Sequence, residues 1–382
     1  MFDFIIVGAG LSGCVIAERI AKVLDQKVLI IEKRNHIGGN CYDYKDKNNI
    51  IVHKYGPHIF HTDYKDVFDY LSNFTEWHHY QHKILAFIDG KKIPIPFNLN
   101  TLYEVFPKNF AVKLENKLLE KYQYNSKIPI LDLLKEKDKD LEFLATFIYD
   151  KVFKNYTVKQ WGLNPEEISP DVTARVPINI NRDNRYFTDK YQGVPKDGYS
   201  KMIENMLCHP NIKIMFNTDF KEVIDIDFET KKIVFMGNEF QGKLVFTGMI
   251  DELFKFKYKN LPYRSLDLKF ETVDKEYYQK VAVVNYPNDY DFTRITEFKH
   301  LYFIESIKTT ILKEYPKDYE AGVDIPYYPI FTEENQKLYS RYKEEADKFE
   351  NLFLVGRLAE YKYYDMDDAI KMALEVFEEK IR

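Results

Sequence analysis

Phe4-Ile5-Ile6-Val7-Gly8-Ala9-Gly10-Leu11-Ser12-Gly13 opens the chain with a strand signal that runs straight into a GxGxxG. The β-branched run Phe4 to Val7 reads as a buried strand. An amphipathic helix is predicted from Leu11 to Val23, and a second buried strand over Lys27-Val28-Leu29-Ile30-Ile31-Glu32. A lone GxGxxG carries little weight, but within a strand–helix–strand unit it gains a physical meaning. Gly8 permits the tight turn, Gly10 lets backbone approach a pyrophosphate, and Gly13 lets helix and strand pack closely. The helix N-terminus then turns its unpaired N–H groups on the phosphates. Glu32 lies 19 residues past Gly13, where a carboxylate accepts from ribose hydroxyls. The plain alternative is a glycine-rich turn that binds nothing.

The next residues, Glu32-Lys33-Arg34-Asn35-His36-Ile37-Gly38-Gly39-Asn40, separate FAD from NAD. The pattern E-K-R-x-x-x-G-G resembles the FAD fingerprint of glutathione-reductase-like and amine-oxidase-like flavoproteins. Glycines at 38 and 39 would let backbone lie against a ribityl-diphosphate. A second clue lies at the far end. Asn351 to Arg357 reads as a strand ending at Gly356, and Met366 begins a helix. In FAD enzymes of this type a late strand-Gly-helix unit returns to the first domain. The cofactor-binding candidates in these segments are Gly8, Gly10, Ser12, Gly13, Glu32, Lys33, Gly39, Asn40, Gly356, Arg357 and Met366; His58 is added as a histidine better suited to a place beside a flavin ring than to a metal.

Composition narrows the class. The chain has 382 residues and a net charge of −5, with Lys+Arg 55 interspersed among Asp+Glu 60, which leaves no electrostatic footprint for nucleic acid. At roughly 150 residues per domain, two to three domains are expected. Hydrophobic residues are 45% and charged residues 30%, which excludes wholesale disorder. No apolar run approaches the ~18 residues of a membrane span. The start lacks a basic n-region and a cleavage site, so no signal peptide is expected. Cys14, Cys41 and Cys208 offer neither a disulfide framework nor metal-ligand spacing. A reduced, cytoplasmic protein follows as the expectation.

Asp89-Gly90 marks a two-residue hairpin between residues 83–88 and 91–96, with its prolines demoting the second strand to an edge. Asn100-Thr101 looks like a helix cap, and helical spacing runs from Leu102 to about Phe153. The Lys/Glu runs at 114–121 and 135–142 read as solvated faces. Strands are predicted over 212–216, 232–235, 243–246, 281–286 and 308–312. The expected fold is α/β: an FAD-binding Rossmann-like domain with a helical insertion domain and a strand-rich domain, which the family these motifs resemble would build as a twisted antiparallel β-sheet domain. Residues 1–80, 190–245 and 340–382 are assigned to the first, 98–165 to the second, and 81–97, 166–189 and 246–339 to the third.

The substrate side begins with Tyr156 to Gly162, followed by a proline-rich loop that ends near Arg175. Trp161 and Arg175 suit a ligand that is both flat and anionic; a core anchor and a surface charge are the plain readings. Arg294 sits in a strand-like setting and needs a partner, either Glu297 or a bound phosphate. Tyrosines crowd residues 326–329 and 361–365. His58 and His61 are three apart, but nothing completes a metal cluster, so no metal is expected.

Taken together, these segments resemble the bacterial UDP-galactopyranose mutase family. The matching stretches are GAGLSG at 8–13, EKRNHIGGN at 32–40, HKYGPHIFHT at 53–62, YTVKQWG at 156–162 and RYFTDKYQGVPKDGY at 185–199. They continue with YRSL at 263–266, TRITEFKH at 293–300, KEYP at 313–316, PYYP at 326–329 and VGRLAEYKYYDMDDAI at 355–370. The resemblance implies interconversion of UDP-galactopyranose and UDP-galactofuranose through a covalent adduct at N5 of reduced FAD, for surface glycan biosynthesis. It implies Arg175 and Arg294 as the diphosphate-binding, catalytic arginines. Tyr156, Trp161, Tyr186, Arg264, Asn285, Tyr328, Tyr363 and Asp365 would bind substrate. An external reductant such as NAD(P)H or a reductase, and a homodimer, are expected from the family alone. Two rivals stay open: a UDP-N-acetylgalactosamine mutase, with His61 as one place to look, and a flavin amine-oxidase-like oxidoreductase. A non-catalytic flavin- or nucleotide-binding protein is a third.

Overall fold

A computed structural model describes residues 2–163, 167 and 177–382. Five parallel strands form one sheet, in the order Ile212–Met215, Val28–Ile31, Phe4–Val7, Lys243–Phe246 and Leu352–Leu354. The two N-terminal strands are buried at every position. Alternation explains why. Phe4, Ile6, Val28 and Ile30 pack on one face with the helices Leu11–Val23, Tyr199–Met206 and Met366–Val376. Ile5, Val7, Leu29 and Ile31 pack on the other with Phe246, Phe254 and Tyr342. A sheet covered on both faces takes unbroken apolar strands, which is the pattern of Phe4 to Val7.

A second sheet holds seven strands, in the order Tyr328–Pro329, Tyr263–Val273, Thr309–Asp318, Arg294–Glu297, Val283–Asn285, Ile84–Ile88 and Lys91–Ile95. All its pairings are antiparallel except Val283–Asn285 with Ile84–Ile88. The hairpin at Asp89-Gly90 is present, and Lys91–Ile95, with Pro94, is an edge strand. The strand expected at 308–312 runs on to Asp318.

The continuous helical pattern expected from Leu102 is divided into Leu99–Val105, Lys108–Lys121, Ile130–Leu133 and Lys139–Ile148. Pro107 and Pro129 stand immediately before the second and third of these, where proline is tolerated at a helix start but not inside one. The cap lies earlier than Asn100-Thr101: Asn98 accepts from the Asn100 amide at 2.8 Å, and Thr101 accepts from the Asn98 amide at 3.1 Å. The charged runs pair across the helices, with Lys117 on Asp138 and Lys121 on Glu136. A turn of π-helix, Tyr149–Lys154, joins Lys139–Ile148 to Asn155–Trp161. That last helix brings Tyr156 and Trp161 to the seven-stranded sheet. Among the described residues no helix is long and apolar enough to cross a membrane.

Candidate active site

The glycine loop and the segment after the second strand are stitched together. The Gly38 amide donates to the Ala9 carbonyl at 2.8 Å. A Cβ on Gly39, whose φ is 54°, would stand 2.8 Å from Gly10 Cα. A Cβ on Gly13 would stand 2.2 Å from the Gly8 carbonyl oxygen. Side chains at these points would push the two loops, and helix and strand, apart. Glu32 holds the corner: its carboxylate accepts from the Ala9 amide at 2.8 Å and the Arg34 amide at 2.9 Å. From this corner a cleft extends between the two chain termini. Its walls include every residue expected at the cofactor: Gly8, Gly10, Ser12, Gly13, Glu32, Lys33, Gly39, Asn40, His58, Gly356, Arg357 and Met366. The helix Met366–Val376 starts at this wall, and Asp365 with Asp368 caps it. Arg34 also lines the cleft, and its Nη1 is buried with no hydrogen-bond partner among the described residues.

A second cavity adjoins the first. The two share His58, Arg357, Asp365 and Met366 as a common wall. Tyr156, Trp161, Tyr186, Asn285, Arg294, Tyr328 and Tyr363 line the second. Tyr328 and Tyr363 stack at 5.8 Å with 10° between planes, and Trp161 meets them at 5.7 and 5.9 Å. The Arg357 guanidinium lies over Tyr363 at 5.2 Å. A glycine-lined cleft thus adjoins a cavity walled by aromatic rings and a cation.

Arg294 is one of several charged residues in that cavity, with Lys127, Asp189, Arg357, Asp365 and Asp368. Its Nε donates to Glu314 at 2.6 Å, and Glu314 is 1% exposed. Burial works against the Arg294 charge, but Glu314, with Tyr156 and Tyr328, raises the guanidinium overall. The alternative partner, Glu297, is engaged elsewhere: its carboxylate accepts from the Tyr278 and Gln279 amides at 2.9 and 2.8 Å. Residues 294 and 297 lie three apart on one strand and face opposite ways. Glu314 is instead directly opposite Arg294 on the neighbouring strand. That cross-strand register was not visible in the sequence.

The histidines differ sharply. His58 Nδ1 lies 2.9 Å from the Gly56 carbonyl, so Nδ1 carries the proton. Burial pushes His58 down to about 4, with Arg357 and Arg294 adding to the effect and the Gly56 carbonyl opposing it. His58 is therefore neutral at pH 7. His61 goes the other way. Burial lowers it, but Asp189, 3.3 Å from Nδ1, together with Asp365 and Asp367 raises it overall. His61 also stacks on Phe187 at 3.6 Å. Both residues line the second cavity, as does His82, which burial pushes down to about 3. Sequence reasoning missed Phe187, Asp189 and His82, although the strand pair joining 60–62 to 191–195 brings the first two to His61.

Two expected substrate residues stand apart. Arg175 lies outside the described residues. Arg264 does not line the second cavity; it is 5% exposed and bonded to Asp318 and to two main-chain carbonyls. Among the described residues no group of three His, Cys, Asp or Glu side chains is arranged to hold a metal. Cys14 and Cys41 are buried free thiols, and Cys208 is exposed.

The chain is similar to known proteins along nearly its whole length. The family profile described as UDP-galactopyranose mutase matches residues 151–363, and one described as an NAD(P)-binding Rossmann-like domain matches 6–74. UDP-galactopyranose mutase of Mycoplasma genitalium is 36% identical, covering 98% of this chain and 93% of its own. A probable UDP-galactopyranose mutase of Klebsiella pneumoniae is also 36% identical, covering 99% and 94%. The dTDP-fucopyranose mutase of Escherichia coli is 35% identical, covering 98% and 97%. A crystal structure of reduced UDP-galactopyranose mutase shares the fold, with TM-score 0.73 at 17% identity over 99% of this chain and 95% of that one. With a relative this similar along nearly its whole length and a family profile over more than half of it, the chain belongs to the UDP-galactopyranose mutase family of enzymes.

Proposed function

We propose that this enzyme interconverts UDP-galactopyranose and UDP-galactofuranose, with FAD in the glycine-lined cleft and the nucleotide sugar in the adjoining cavity. One observation carries the reading. A cation backed by a buried carboxylate, Arg294 on Glu314, faces an aromatic cavity that shares a wall with a dinucleotide cleft. The cleft fits FAD on its own chemistry: the close approach of Gly10 and Gly39 leaves bare backbone for a diphosphate, and Arg34 Nη1 lacks a hydrogen-bond partner among the described residues. When bound and reduced, FAD supplies a nucleophilic N5 and an exchangeable proton for chemistry at the anomeric carbon.

The chain's own residues do the rest. Arg294 binds the diphosphate and stabilises the charge that develops there as it leaves, since its Nε is held by Glu314 and, among the described residues, no hydrogen bond occupies its terminal nitrogens. Arg175 supplies the second cation in this scheme. Trp161, Tyr328 and Tyr363 exclude water and orient the nucleotide sugar. Neutral His58, its Nδ1 proton committed to Gly56, offers an acceptor at the shared wall. Tyr156, Tyr186, Asn285 and Asp365 complete the polar lining. A cellular reductant such as NAD(P)H keeps the flavin active, the enzyme works as a homodimer in the cytoplasm, and its product enters surface glycans.

The E. coli relative that acts as a dTDP-fucopyranose mutase sets the comparison to make. UDP-galactofuranose, UDP-N-acetylgalactofuranose and dTDP-fucofuranose are each given to the reduced enzyme, and pyranose formation is followed by chromatography. The reading predicts the highest kcat/KM with UDP-galactofuranose. Faster turnover of either competitor would reassign the substrate, and oxygen consumption with an amine would reassign the reaction.

A further inference from the structure

The strand Tyr263–Val273 lies between Tyr328–Pro329 and Thr309–Asp318, and its register sets Arg264 opposite Tyr328 on one side and Asp318 on the other. Directly opposed residues share a sheet face, so Tyr328, Arg264 and Asp318 form one row. The C-terminal end of the helix Asn155–Trp161 is bound to this row. Arg264 Nε donates to the Gln160 carbonyl at 3.1 Å, Nη2 donates to the Lys159 carbonyl at 3.2 Å, and Nη1 bonds Asp318. Those carbonyls belong to the last helical turn, which has no intrahelical donors, and the cation also opposes the negative end of the helix dipole. Gly162, with φ of 69°, closes the helix by donating its amide to the Val158 carbonyl at 2.8 Å. A Cβ there would stand 2.9 Å from Arg264 Nη1. On the far side, Lys159 Nζ donates to the Tyr286 carbonyl at 3.0 Å.

All three guanidinium nitrogens of Arg264 are thus engaged within the protein. Between the two carbonyls it holds and the glycine it touches stands Trp161, resting on Tyr328 and Tyr363. We infer that Arg264 is a positioning residue: it pins the end of the helix so that Trp161 forms the aromatic wall of the substrate cavity, and it does not grip the diphosphate. The inference deepens the proposed function, because it takes that wall to bind a uridine diphosphate sugar. Lysine is no substitute, since one ammonium cannot span two carbonyls and a carboxylate in this planar arrangement.

A double-mutant cycle tests this on the flavin-bound protein. Calorimetry with UDP gives Kd for Arg264→Gln in the native background and in Trp161→Ala. An effect carried through Trp161 weakens UDP about tenfold in the first background and less than about twofold in the second. Equal losses in both would make Arg264 a direct ligand and overturn the inference, as would wild-type affinity. A second readout needs no ligand. Trp77→Phe leaves Trp161 as the sole tryptophan, and its quenching by acrylamide should rise about twofold with Arg264→Gln. Gly162→Ala, which crowds the same guanidinium, should reproduce both effects, and it carries the test if Arg264→Gln does not accumulate as folded holoprotein. Unchanged quenching in either variant overturns the inference. Failure of the unmodified enzyme to bind UDP would count instead against the proposed function, and the quenching measurement would still judge Arg264.

Discussion

Arg294 shows how one side chain depends on a partner that lies far away in sequence. Glu314 neutralises its buried side and fixes its plane. Arg294→Ala should lower turnover by at least about a hundredfold, a loss typical of a group that stabilises developing charge, while the flavin absorbance per protein stays unchanged. Turnover within a fewfold of wild type would remove the proposed role. The His61–Asp189 pair makes a separate prediction about pH. Asp189 raises His61 above its ordinary 6.5. The pair's stabilisation is therefore fully present below pH 6.5 and is lost as pH rises through the folded value. Asp189→Asn should lower Tm at pH 6 and have a smaller effect at pH 9. An equal loss at both would mean that stacking on Phe187, not charge, holds the ring. Neither partnership was legible in the sequence, because Arg294–Glu314 is set by strand register, and Asp189 reaches His61 only through the strand that follows it, which pairs with residues 60–62.

Elements were legible where the signal was local. The opening strand, the helix Leu11–Val23 and the hairpin at Asp89-Gly90 each carry their own pattern, in β-branched runs, glycine spacing and turn chemistry. The helical part was blurred because periodicity averages over Pro107 and Pro129, which interrupt it. The contacts of Arg264 were hidden for a related reason. Its strand was visible, but the helix end that lands on it was not. The glycine contacts give a prediction about elements meeting. Gly39→Ala would press a methyl group to 2.8 Å from Gly10 Cα and require a left-handed backbone of alanine. The variant should purify with less than about half of the wild-type flavin, a loss that excess FAD reduces. Full flavin content would show that the two loops tolerate separation.

Across the molecule, two sheets each gather strands from distant parts of the chain. The parallel sheet spans residues 4 to 354, and the seven-stranded sheet spans 84 to 329. The cleft and the cavity meet where the late segment Gly356 to Met366 returns between them. This interleaving was legible in outline, since motifs at both termini pointed to a single cofactor. The adjacency of His58 to both compartments required the folded chain. The arrangement predicts that the chemistry of the sugar follows the state of the flavin. The deciding measurement is turnover of UDP-galactofuranose by the purified yellow protein, with and without dithionite, read by chromatography. UDP-galactopyranose should form only, or at least about a hundredfold faster, under reduction. Equal turnover by the oxidised enzyme, or none with the flavin fully bound and reduced, would contradict it.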